Sequence, residues 1–162
     1  MRFWLPMVVL FMGSSVGQAA DAAKDAEAQA FVRQVVQSLM DGGTTITFAV
    51  ADKVSAIDNG EVLSKEEFSK AWPKLAKVAF KRRVSLDEFF RDVTVQFTSP
   101  LDNKRLMSNK KVLAVYTPRQ GDLYCDASRV KEGTENFIAY EKAFVFIIRK
   151  IEGKWTLIGM GG

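Results

Sequence analysis

The stretch that most constrains this chain is its last one, FVFIIRKIEGKWTLIGMGG, from Phe144 to Gly162. Taken with the two-residue period of a strand, residues 137–151 carry Tyr140, Phe144, Phe146 and Ile148 on one register. Val145, Ile147 and Ile151 occupy the other. Both registers are apolar at the centre, so both faces of this strand need cover. Glu152-Gly153 then turns the chain into a last strand, residues 154–160. Helices can cover one face. The other calls for a partner subunit or a further element, because exposed apolar patches of this size are rare in monomers. A homodimer through the sheet is the partner this pattern suggests.

Upstream the period is helical. Phe31, Val32, Val35, Val36, Leu39 and Met40 share one broad face, opposite Arg33, Gln34, Gln37 and Ser38. The preceding DAAKDAEAQA reads as a frayed lead, and Asp41-Gly42-Gly43 as the stop. Thr44 or Thr45 can cap a second, shorter helix to about Asp52, although the β-branched TTIT would also suit a strand. Asp58-Asn59-Gly60 has the residues of a hairpin turn. Ser64-Lys65-Glu66-Glu67 is a capping box that opens a helix with Phe68, Trp72, Leu75, Ala76 and Ala79 on its buried face. Pro73 predicts a kink or break near Trp72.

Ser85 can open one more helical turn, after which Val93, Val95 and Phe97 alternate along a strand ended by Ser99-Pro100. Residues 112–117 read as the next strand and 118–122 as a loop. Leu123-Tyr124-Cys125 can extend a strand, while residues 128–136 form a polar excursion; 118–136 is long enough for a lid over a cavity mouth. No repeat, low-complexity tract or linker interrupts the chain. The expectation is a single α+β domain over residues 21–162, with Trp72 and Trp155 in its core.

Residues 1–20 have the pattern of an export signal: Arg2, an apolar Phe3–Met12 run broken by Pro6, and small residues to Ala20. The run is shorter than the ~20 residues of a membrane span. A periplasmic or secreted domain is expected, or the periplasmic part of an envelope or secretion assembly if the signal is retained as an anchor. The formal net charge of +4 is a mild excess and gives no reason to expect a nucleic-acid partner. Lys74, Lys77, Lys81, Arg82 and Arg83 form a basic edge, either solvated or a patch for an anionic partner such as a phospholipid headgroup. Cys125 stands alone, so no intrachain disulfide can form, and it reads as a buried small side chain. The chain has no histidine, no zinc-type spacing, no nucleophile elbow and no phosphate-cradling glycine loop, so neither a metal nor a cofactor is expected.

The order helix, short helix, hairpin, capped helix and antiparallel strands resembles the nuclear-transport-factor-2-like superfamily, in particular its small SnoaL-like members. ADKVSAIDNGEVLSKEEFSKAW, residues 51–72, is similar to the family's hairpin and third helix. FVFIIRKIEGKWTLIG, residues 144–159, is similar to its closing hairpin. The resemblance implies a cone, a strongly bent and mostly antiparallel sheet wrapped on about three N-terminal helices, often dimeric. Such cones host isomerases, hydrolases, carriers and assembly domains, so the fold does not select the function. Tyr116, Tyr140, Phe144 and Phe146 are the candidates to line a pocket for a small apolar ligand, or an interface. Histidine-based chemistry is excluded; an acid–base pair would need Asp58 or Asp92 with Tyr116, Tyr124 or Tyr140. The favoured expectation is a non-catalytic ligand- or partner-binding domain, with an isomerase or hydrolase of small cyclic or lipid-like substrates as the alternative.

Overall fold

The structure, a computed structural model, describes residues 15–79, 85–129 and 144–161. Side chains are described from Asp25 onward, apart from Ser128 and Arg129. Tyr140, the basic edge at Lys81, Arg82 and Arg83, the 130–136 excursion and the apolar core of the signal lie outside these residues.

The first helix, α1, spans Ser15–Met40. The alanine-rich lead is therefore helical rather than frayed, in keeping with alanine's high helix propensity. Ala28, Phe31, Val32, Val35, Val36 and Leu39 form its buried stripe. Gly42 and Gly43 end it with φ of +82° and +67°, and the Gly43 N–H donates to the Ser38 carbonyl at 2.8 Å. A Cβ at Gly43 would come within 2.9 Å of the Trp72 carbonyl oxygen, so only glycine lets this turn sit directly on the next helix.

Residues 44–49 form no helix; β1 begins at Val50 and runs to Ala56. Neither the helix nor a strand at the TTIT run forms; residues 50–52 join β1 because it finds partners on both sides, a nonlocal gain that overrides weak local propensity. The turn at residues 57–60 leads into β2, Glu61–Ser64, with the Gly60 N–H donating to the Ala56 carbonyl at 3.0 Å. α2, Lys65–Ala79, opens on the capping box: the Glu67 N–H donates to Ser64 Oγ at 3.2 Å, and the Ser64 N–H to Glu67 Oε2 at 2.8 Å. Pro73 does not break α2. Trp72 and Ala76 on either side of it are both buried, and their packing holds the two halves in one helix.

α3, Leu86–Asp92, is capped by Ser85 and runs straight into β3, Val93–Thr98. The chain then makes a 3-10 turn at Pro100–Asp102 and two short helices, α4 at Lys104–Ser108 and α5 at Lys110–Val115. The expected strand at 112–117 is thus a helix. Asn109 Oδ1 accepts from the Lys111 and Val112 N–H groups, and Val112 and Tyr116, one turn apart, are both buried. β4 (Leu123–Arg129), β5 (Phe144–Ile151) and β6 (Lys154–Gly161) complete the described chain.

Among the described residues the six strands form one open sheet in the order β2-β1-β6-β5-β4-β3. Every neighbouring pair is antiparallel except β1 and β6, which run parallel, so the sheet is mixed. α1, α2 and α3 cover its inner face, where Phe144, Phe146, Ile148, Trp155 and Leu157 meet Phe31, Phe68, Trp72 and Phe89. The outer face is covered by the chain itself. Leu106 of α4, Val112 of α5 and Tyr116 pack on Ile147 and Ile158. The further element demanded by the second apolar register is the 100–116 segment, which covers Ile147, while Ile151 of the same register stays exposed.

Phe146, fully buried, should lose about 3–5 kcal/mol of stability on Phe146→Ala, measured by urea unfolding. A loss below about 1 kcal/mol would take it out of the core. Gly43→Ala should be destabilised by about 1–3 kcal/mol in the same assay, from its positive φ and its contact with Trp72.

Candidate functional site

Two neighbourhoods deserve comparison: one has space, the other has converging polar groups. The apolar space is a cavity of about 300 Å³ between α2 and the hairpin end of the sheet; a second, of about 320 Å³ and more polar, lies by Gln29, Arg33, Phe90 and Thr94. Phe68, Ala71, Trp72 and Leu75 line it from α2, at the i, i+3, i+4, i+7 spacing that places them on one helical stripe. Leu63, Phe144 and Met160 close it from the strands. Trp72 turns its polar edge away: Nε1 donates to Ser38 Oγ at 2.9 Å, and that hydroxyl donates to the Thr45 carbonyl at 2.8 Å. The indole packs against Phe68 and Phe48, with ring centroids 5.0 and 5.3 Å away.

Asp58 and Asn59, in the β1–β2 turn, stand at the cavity's polar end. A Cβ on Gly161 would meet both Asp58 carboxylate oxygens at 2.9 Å, so this glycine makes room for the carboxylate. Asn59 is committed locally, its amide donating to Glu61 Oε2 at 2.9 Å. Asp58 is the one charged group among the described lining residues. The cavity is an apolar slot with one carboxylate at its end.

The polar convergence lies on the opposite face. Asp122, 2 % exposed, accepts from Arg149 Nε and Nη2 at 2.7 Å each, from the Tyr116 hydroxyl at 2.7 Å and from the Arg119 N–H at 2.9 Å. Burial opposes the Asp122 charge, but the bonds from Arg149, Tyr116 and the Arg119 amide together outweigh it and hold the carboxyl below its ordinary range. Burial first, and then Asp122, push the Tyr116 phenol well above its usual value. Arg149 also donates to the Thr117 carbonyl at 3.1 Å. These groups clamp the 116–122 loop to β5. They satisfy one another and leave no reacting atom exposed.

Of the residues singled out from sequence, Asp58 and Phe144 share the cavity. Phe146 lies deeper in the core, near-parallel to Phe144 with ring centroids 6.3 Å apart, and is not among the lining residues. Tyr116 belongs to the outer-face clamp, and Tyr124 is half-buried on that face. Burial chiefly raises the Tyr124 phenol, followed by the charges of Asp126 and Asp58. Asp92 sits at the α3–β3 junction beside Arg91, 3.2 Å away, and not on the cavity. Leu63, Ala71 and Met160 were missed, and Leu75 was read only as core. Ala71 alone carried a signal, since it falls on the same stripe as Phe68 and Leu75.

Cys125 is fully buried, and burial pushes its thiol up, out of the reactive range. Among the described residues no group of three His, Cys, Asp or Glu side chains could hold a metal, and no helix is long and apolar enough to cross a membrane. No family model matches this chain, and no curated protein or solved structure matches it significantly.

Asp122→Asn should cost about 2–3 kcal/mol at neutral pH, because it strips the partly buried Arg149 of its counter-charge. The folded-state pKa of Asp122 lies below the unfolded value near 4, so its contribution is complete above about pH 4 and is lost as pH falls through the folded value. Urea unfolding of both proteins against pH should therefore show the difference shrinking only below about pH 4. Cys125 should react with a chromogenic disulfide reagent only after unfolding.

Proposed function

We propose that this chain is a non-catalytic binding domain of SnoaL-like type that holds a small apolar ligand in the cavity between α2 and the β1–β2 hairpin. The observation that carries this reading is the separation just described: the cavity beside α2 is apolar, and the converging polar groups are buried elsewhere as a clamp. A volume near 300 Å³ is at the lower end for small-molecule sites, with room for a compact ring system or a short chain. An α+β fold with α1, α2 and α3 on one face of a six-stranded, mostly antiparallel sheet supports the cone architecture that the resemblance implies. The export-signal pattern of residues 1–20 would place the domain in the periplasm or outside the cell.

A second reading has one observation in its favour. The Asp58 carboxylate at the end of an apolar cavity is where a general base of an isomerase or hydrolase would stand. It lacks a described tyrosine on the same wall. Tyr116 donates to Asp122 instead.

Native mass spectrometry of the purified chain, followed by denaturing extraction, tests the binding reading. The expected result is a co-purified apolar molecule in the wild type that is absent from Ala71→Phe, whose added ring fills the cavity. A wild-type chain that emerges empty, and whose tryptophan emission no apolar compound changes, would overturn it. Turnover of the extracted molecule by wild type, abolished in Asp58→Asn, would instead establish the enzymatic alternative.

A further inference from the structure

The chain as a whole is nearly balanced, with 23 basic and 19 acidic residues. Between Asp102 and Asp122 the balance fails. Residues 103–121 hold Lys104, Arg105, Lys110, Lys111 and Arg119 and no acid at all. Ordinary protein surfaces intersperse the two signs. All five basic side chains are exposed, and none makes an ion pair among the described residues. Two large apolar side chains stand out at this surface, Met107 within the segment at 36 % exposure and Leu101 just before it, beside the exposed Asp102, at 47 %. Lys104 and Met107 are one helical turn apart on α4, so charge and apolar tip project together.

This surface is held firmly. Ser99, Asn103 and Asn109 each cap the turn or helix that follows, accepting from the N–H groups of Leu101, Leu106, and Lys111 with Val112. Leu106 and Val112 point inward onto Ile147 and Ile158. The buried Asp122–Arg149 pair fastens the segment's far end. The segment thus presents a fixed outer plate, cationic and tipped with apolar side chains.

We propose that this plate docks the protein on an anionic phospholipid surface, with Leu101 and Met107 entering the headgroup layer between lysine and arginine contacts. Basic side chains flanking exposed apolar ones are the composition that binds such interfaces. A nucleic acid fits less well, because residues 99–115 offer no aromatic side chain for base stacking. The plate lies on the sheet face opposite α2, and its Lys111 adjoins Gly60 in the turn that holds Asp58 and Asn59 at the polar end of the cavity.

The test is co-sedimentation of the full chain with phosphatidylcholine vesicles, with and without phosphatidylglycerol. The apolar N-terminal segment is common to every variant and both lipid mixtures, so its contribution cancels. Wild type should bind the anionic vesicles at least about tenfold more tightly, and the preference should fade as salt rises. The triple variant Lys104→Glu, Lys110→Glu, Lys111→Glu should lose it. The charge-matched variant Lys65→Glu, Lys74→Glu, Lys77→Glu on α2 should keep it. Leu101→Ser with Met107→Ser should weaken binding that survives at high salt. Absence of any anionic preference, or equal loss in the α2 control, would overturn the proposal. So would tight, plate-dependent binding to soluble polyglutamate without vesicle binding, which would assign the surface to an acidic protein.

Discussion

Three consecutive residues of β5, Phe146, Ile147 and Ile148, are wholly withdrawn from water. Successive strand residues point to opposite faces, so no single layer of helices can bury all three. Each is worth roughly 1.5–3 kcal/mol when covered, too much to leave half the set exposed. A layer on each side of the sheet follows. α1, α2 and α3 make the inner one, and the β3–β4 connection crosses the outer face to make the other.

The two layers are unlike. The inner one is broad and aromatic, yet α2 and the hairpin do not meet fully, and the cavity is what remains between them. The outer one is thin, with few large side chains, and a hydrogen-bonded charge pair supplements it. Asp122 takes four donors, so its burial leaves no lone pair stranded on the side that matters. Tyr116 is spent in that arrangement. A tyrosine that looks like a proton donor in a linear reading is a structural tie.

Features that depend on a few neighbouring residues were legible. Ser64 with Glu67, Ser85 with Glu88, and the Glu152-Gly153 turn, with φ of +50° and +78°, all carry their own chemistry. The requirement that both faces of residues 144–151 be covered was also readable from alternation alone. Residues 50–52, which continue the first arm of the β1–β2 hairpin, were not, because what makes them a strand is β6, about a hundred positions away. Residues 110–115 misled for a related reason: Val-Leu-Ala-Val alternates acceptably for a strand, and the Asn109 cap with its contacts to Ile147 decided otherwise. The cavity was least legible of all. A void is defined by where three separate elements fail to touch, and no local pattern encodes that.

The parallel pairing of β1 with β6 has a kinetic side. β6 is the last strand of the chain and sits between β1 and β5, in the interior of the sheet. Until it arrives, the β1–β2 hairpin has α2 but no further strand to pair with, and β5 lacks one of its two neighbours. Contacts of such long sequence separation close slowly, since the loop entropy is spent before any pairing rewards it. Among the described residues the two parts of the sheet, β2-β1 and β5-β4-β3, meet only through residues 154–161, so one continuous sheet exists only once that strand is seated between them.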